Sequence, residues 1–546
     1  MKCKFVALVL GIAMVITSLA GCGSESTKES DSVSSSTENS KEQQDTEAEV
    51  VEGIPVDHFA GTELDIAIVR RDALDPSEDF NEKPIIKLVE EATGIHVNWT
   101  VIDGSVASER VSALLASEDL PDAMLGLVSS SVLATSPSLF YDFSKEGLLE
   151  TYAPDVIKDY QEGGQNCLEL ITWPDGSIRS LVGNVGCDYK SEGNGIMMIN
   201  QKWLDAVNKE VPTTADEFYD VLCAFRDNDA NGNGDPDDEI PLSFCHNDWA
   251  AWFMQFANSW GIAGKGSENK EHYMMLKDGI VEPTMDTQAY RDFLEYFHKL
   301  AEEGLLDIEG FSQTVEQYDT KQAENRVGIM LEWEPPVDLA DDYVAMRPFK
   351  VDGYETVKTG GKNYCYGNLT ALVASAECSN VEALLHWWNY MSSTPELKWT
   401  ARYGEEGVCW YKDENGEFWR YSTPPEELGL DPNIQYTFYQ AIGNTASPYL
   451  TPADVNTEDG VRKRMMDQVY DLILDEYIPT RLSDPLAVEE RTFIETDLFE
   501  MVESFMATSV VNGVTDESWA TYLDNLKTYQ YYDWIDWWQG YVDGEY

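Results

Sequence analysis

Between residues 63 and 127 the apolar periodicity switches repeatedly between two repeats, and no other stretch constrains the fold as strongly. Glu63-Leu64-Asp65-Ile66-Ala67-Ile68-Val69 alternates and then turns wholly apolar, the pattern of a buried strand. After a loop carrying Arg70 and Arg71, Lys83 to Thr93 has helical spacing and ends at Gly94. Ile95 to Val101 predicts a second strand, Ser108 to Ser117 a second amphipathic helix, and Leu120 to Leu127 a third strand. Strand, helix, strand, helix, strand predicts a doubly wound α/β lobe. Ligands of such lobes sit in loops beyond the carboxyl ends of the strands. That rule singles out Arg70 and Arg71 after the first strand and Ser129 and Ser130 after the third.

The first residues set a boundary of another kind. Lys2 and Lys4 precede an apolar run from Phe5 to Ile16, and Thr17 to Cys22 supplies small residues at a cleavage point. The run is shorter than the roughly 20 residues that span a bilayer. Residues 1–22 therefore predict an export signal. Leu19-Ala20-Gly21-Cys22 also resembles the bacterial lipobox, which implies acylation of Cys22 and a lipid anchor on the extracytoplasmic face of the membrane. Residues 23–57 are rich in Ser, Thr, Glu, Gln and Asp and cannot bury enough apolar surface to fold, so they predict a disordered tether.

Behind the tether, 43% apolar and 12% aromatic residues in a 546-residue chain suffice for two or three domains. A net charge of −62 repels phosphate backbones and excludes nucleic acid as a natural partner. Seven cysteines follow Cys22 without a C-x-x-C pair, which predicts neither a zinc site nor a disulfide framework.

Asp227 to Glu239 carries the sharpest chemical signal. Counting from Asp229, side-chain oxygens stand at positions one, three and five (Asp229, Asn231, Asn233), with Gly234 sixth and the Asp235 carbonyl seventh. This is the opening of an EF-hand-like calcium loop. Position twelve is apolar Ile240 instead of Glu, and a second register from Asp227, with Gly232 sixth and Asp238 twelfth, stays open. So many carboxylates in thirteen residues repel one another unless a cation compensates, so the expected cofactor is a structural calcium ion.

Several segments, in this order, resemble the extracellular solute-binding proteins of bacterial carbohydrate ABC importers. They are Ile85 to Val101, Leu114 to Asp122, Ile199 to Leu204 with Val211 to Phe218, Gly328 to Trp333, and Thr370 to Val373 with Val381 to Met391. Asp238-Glu239-Ile240-Pro241 is similar to the early-closing calcium loop of the alginate-oligosaccharide binders, which adds Asp238 and Glu239 to the ligand set. The resemblance implies an α/β, two-lobed, type II periplasmic-binding-protein-like fold with a ligand cleft between lobes discontinuous in sequence. Lobe one would comprise 58–185 and 365–440, and lobe two 186–364 and 441–546.

It also implies a monomeric receptor that hands an oligosaccharide to permease subunits. Segments that reach the cleft in relatives add Trp249, Trp252, Glu332, Trp333, Asn363 and Tyr366 to the ligand-contact candidates. Flat aromatic rings suit the apolar faces of sugars. The chain contains no G-x-S-x-G, no H-E-x-x-H and no phosphate-binding glycine loop, so a binding protein is expected over a lipid-anchored hydrolase. A peptide or another small solute is the second expectation for the ligand.

Overall fold

The alternating segment becomes β1, Glu63–Arg70, in the computed structural model. The structure describes residues 53–546 except 71–78, 118, 163–166, 174, 187–194, 249, 265–272, 362–365, 421–449, 452–455, 458–460, 477 and 479–481. Cys22, most of the expected tether, Arg71, Trp249 and Asn363 lie outside the described residues.

β1 pairs in parallel with β2, His96–Asp103, in a register running from Glu63 opposite His96 to Arg70 opposite Asp103. Helix Pro84–Thr93 makes the crossover. Pro84 occupies its first turn, where no backbone N–H is needed, and Gly94 ends it at φ 66° with its N–H on the Glu90 carbonyl. A Cβ on Gly94 would also lie 2.7 Å from the Ala60 Cβ, so space and backbone both demand glycine there. β3 is only Ala123–Leu125, shorter than the periodicity predicts. Pro121 has no N–H for the ladder, and Gly126 turns the chain away at φ 65°.

β12, Tyr366–Ala374, pairs antiparallel with β3 and with β4, Leu181–Gly186. The strand order is Leu450–Thr451, β4, β12, β3, β1, β2. Alternation puts Leu64, Ile66 and Ile68 against Ile85, Val89, Leu384 and Trp387. On the opposite face Ala67, Met124 and Val373 meet Leu133 and Phe140.

A second sheet has its own core. β5 (Ile196–Asn200) is antiparallel to β9 (Val327–Glu332), β6 (Ile240–Leu242) runs parallel to β9, and β10 (Tyr343–Ala345) closes the far edge. β7 (Met274–Lys277) and β8 (Ile280–Pro283) form a hairpin turning on Asp278 and Gly279, with φ of 52° and 74°. β11, Lys358–Gly361, pairs with Ile473–Leu474.

Aromatic rings fill this second core: Trp203 meets Phe225 at 5.3 Å, and Phe253 meets Phe244 at 4.8 Å and Phe297 at 5.1 Å. The closing run Tyr531–Asp543 is a helix whose Tyr531 and Trp534 are fully buried in the same core, beside the 28-residue helix Pro485–Asn512. Leu450–Thr451, expected with this second lobe, pairs instead with β4 of the first sheet. The outer edge of β4 offers backbone groups that a passing strand satisfies.

Candidate functional site

In the first sheet the carboxyl ends of β1 and β2 finish on a charged pair. Arg70 donates through Nε and Nη2 to the Asp103 carboxylate at 2.9 and 2.6 Å, directly across the ladder. Beyond β3, the Ser129 hydroxyl accepts the Val132 N–H and starts helix Ser130–Thr135. That short helix packs on the long helix Pro485–Asn512, which belongs to the second core. Tyr366 opens β12 opposite Gly186.

In the second sheet, β6 and β9 are parallel, and their carboxyl ends deliver a denser cluster. Glu332 is the last residue of β9. Its carboxylate accepts the Trp333 N–H at 2.7 Å and the Gln322 amide at 3.4 Å. Burial, foremost, pushes its pKa up to about 7, and the neighbouring Asp248 and Asp319 carboxylates push the same way. Burial also raises the Asp319 carboxyl, with Asp248 adding to it. Asp248 is held by the Ala250 and Ala251 N–H groups at 2.6 and 3.1 Å.

His246 places Nε2 3.3 Å from the Trp252 indole nitrogen and 3.7 Å from Glu503, and its Nδ1 is buried with no partner. Glu503 also accepts from the Tyr273 hydroxyl at 3.3 Å. It belongs to the long helix, whose Thr492, Glu495, Thr496, Phe499, Glu500, Glu503 and Ser504 line an open cavity of about 610 Å³. His246, Glu503 and this face of the long helix are absent from the sequence-based candidates, which held only Trp252 and Glu332 of the cluster. The signal of that face was the stripe at 492, 495, 496, 499 and 503, spaced by three and four as one helical face is.

Trp252 requires a correction. It is 1% exposed, its ring packs against Tyr273 at 6.0 Å and its indole nitrogen faces His246. A ring so enclosed presents no face to a ligand, and Trp252 instead orients His246.

The acidic loop 229–239 adopts the turn its spacing predicts. Asp229 Oδ2 accepts the Gly234 N–H at 3.0 Å, and Asn231 Oδ1 accepts the Asn233 N–H at 2.9 Å. Asn233 Oδ1 accepts the Asp235 N–H at 2.7 Å. Asp238 takes the amides of Asn231 and Asn233, each at 2.9 Å, and Glu239 Oε1 takes the Asn231 N–H at 3.3 Å. Two oxygens are left over, Asp229 Oδ1 and Glu239 Oε2, both buried without a partner. Burial raises the Glu239 carboxyl above its ordinary range. Orphaned buried acceptors in one loop fit a hard cation. Among the described residues no three His, Cys, Asp or Glu side chains already converge as a metal cluster. The donor set here mixes carboxylates with Asn carbonyls.

No family model matches the chain. The chain is 26% identical over 503 residues, 85% of its length and 88% of the relative's, to the fructooligosaccharide ABC transporter substrate-binding protein FusA of Streptococcus pneumoniae. It is 23% identical over 269 residues, 47% of its length and 48% of the relative's, to lipoprotein LipO of Bacillus subtilis.

Among solved structures, an HMO-binding ABC-transporter-associated solute-binding protein of Bifidobacterium longum infantis matches with a TM-score of 0.75 at 23% identity, over 88% of this chain and 98% of that one. An EF-hand mutant of FusA with fructo-nystose matches at 0.68 and 23% identity, over 88% and 99% of the two chains. The alginate-binding protein AlgQ2 without calcium ion matches at 0.57 and 17% identity, over 90% and 100%. The shared architecture is a two-lobed α/β substrate-binding fold.

Proposed function

We infer that this chain is the substrate-binding protein of a carbohydrate ABC importer, capturing an oligosaccharide outside the cell and delivering it to a membrane permease. Relatives of this fold and length are sugar-binding receptors. The observation that carries the reading is the gathering of Glu332, Asp248, His246 and Glu503 at the carboxyl ends of the second sheet, with Glu503 also lining an open cavity that includes Phe499. Sugars present ring faces for Trp333 and Phe499 and hydroxyls for the carboxylates, the His246 nitrogen and Thr492 and Thr496. From the first lobe, Arg70, Ser129, Ser130 and Tyr366 would contribute further ligand contacts. Arg71, Trp249 and Asn363 keep their proposed roles from the sequence alone. Closure of the lobes would shift the population toward the bound form.

The chain binds without transforming its ligand, and Cys22 anchors it through lipid at the extracytoplasmic face. Isothermal titration against an oligosaccharide panel tests the reading. The expected result is saturable one-to-one binding with the sugar recovered intact; sugar release would overturn it.

Calcium would be held by Asp229, Asn231, Asn233, Asp235, Asp238 and Glu239, and would neutralise the two orphaned carboxylate oxygens. Its role here is to hold the loop that leads into β6, and it takes no part in ligand chemistry. A chelator should lower the melting temperature, reporting a loss of about 3 kcal/mol when calcium stands roughly a hundredfold above its dissociation constant. Asp229→Ala should show the lower value from the start and no further response to chelator. An unchanged melting temperature on chelation counts against the site.

A further inference from the structure

We propose that the ligand carries no anionic group: the site takes an uncharged oligosaccharide and turns away uronate and phosphorylated ones. This rests on the saccharide reading above and narrows it.

The argument starts with the cavity wall. Its ionisable side chains are Glu495, Glu500 and Glu503, and the rest are Thr492, Thr496, Ser504 and Phe499. An adjoining hollow along the same helix adds Asp497 beside Phe505, Asn525 and Tyr529, again without a cation in its lining. Through His246, which Glu503 approaches at 3.7 Å, the wall is linked to the segment of Asp248, whose carboxylate acts on Glu332 and Asp319. Among the described cations of this lobe, Lys321 is engaged by Asp307 and Glu309, and Arg491 pairs with Glu495 of the wall at 3.1 Å over the rings of Trp537 and Trp538, which leaves the anionic character of the wall to Glu500 and Glu503. Anion recognition normally uses an arginine fork or a lysine. The described wall supplies acceptors, hydroxyls and a ring face in its place.

Sugar hydroxyls satisfy such a wall, because each donates to a carboxylate and accepts from a Thr or Ser hydroxyl. A uronate carboxylate does the reverse. Brought within about 6 Å of one of these glutamates at an effective permittivity near 20, it loses roughly a hundredfold in affinity. The chain's net charge of −62 slows the approach of anions further, most at low salt.

The test is calorimetric titration of the full chain with two matched sets. One set holds uncharged fructo-, xylo- and manno-oligosaccharides, the other oligogalacturonates and alginate oligomers of the same lengths. The expected result is binding in the first set and at least about a hundredfold weaker binding throughout the second. Uronates binding as well as or better than every uncharged sugar would overturn the proposal while leaving the saccharide reading intact. Binding in neither set would overturn both. The double variant Glu500→Gln, Glu503→Gln should narrow the discrimination at least tenfold, by gaining uronate affinity. A folded variant with unchanged discrimination would remove these glutamates as its cause and overturn the proposal.

Discussion

Gly195→Ala is expected to cost the protein more than about 4 kcal/mol of stability, the range reserved for unrelieved steric or buried-charge defects. A Cβ at position 195 would lie 1.7 Å from the Ala250 carbonyl oxygen and 2.7 Å from its carbon. Both are backbone atoms, so no rotamer change relieves the overlap. Nor can Ala250 retreat easily: its N–H is held by Asp248 at 2.6 Å, and its carbonyl accepts from Gln255 at 2.8 Å. Gly195 itself accepts from the buried Lys358 ammonium at 3.0 Å, which fixes it from the other side. The strand that follows begins at Ile196, opposite Glu332, so the strain would fall on the proposed site. Denaturant unfolding measures the loss, with Gly53→Ala as the control, since nothing lies within 4 Å of a Cβ there. A Gly195→Ala protein as stable as the control would contradict the close approach.

That glycine shows where sequence reading stops. Periodicity exposes β1, β2 and the helices 84–93 and 107–117 because each buries one face locally, so its pattern is written in adjacent residues. It overextends β3, where Pro121 and Gly126 trim the ladder. The turn of the acidic loop 229–239 was legible for the same local reason: its oxygens come from one short segment and the turn is made by Gly234.

The ligand cluster was harder to see. His246 follows β6, Glu332 ends β9, and Glu503 sits on a helix more than 150 residues further on, so only the parallel pairing of β6 with β9 and the packing of that helix unite them. Trp252 was misjudged for a related reason. Aromatic type alone does not separate a ring that lines a cavity from one that supports the residue lining it, and burial decides.

Glu332→Gln should remove a pH-dependent penalty from the folded state. The carboxyl rises from 4.5 to about 7, first by burial and then by Asp248 and Asp319, while Trp333 N–H and the Gln322 amide pull it back. A carboxyl raised on folding stabilises nothing at high pH. Below about pH 4.5 both states carry the proton and the group is neutral in the balance. As pH climbs from about 4.5 to 7 the unfolded chain releases its proton while the folded chain keeps it, so stability falls. Above 7 the full penalty, roughly 3 kcal/mol from the size of the shift, is in force. The Gln variant keeps an acceptor for Trp333 N–H and escapes the charge. It should therefore be more stable than the parent at pH 8 by about 1–3 kcal/mol and equal to it near pH 4. Thermal melts across that range check both ends, and a gain at pH 4 as large as at pH 8 would separate the effect from ionisation. The same charge belongs to the proposed site. Hydroxyls donating to Glu332 would favour its ionised form, so ligand binding near pH 7 should release protons. Titration in buffers of different ionisation enthalpy reads that release directly, and Glu332→Gln should abolish it.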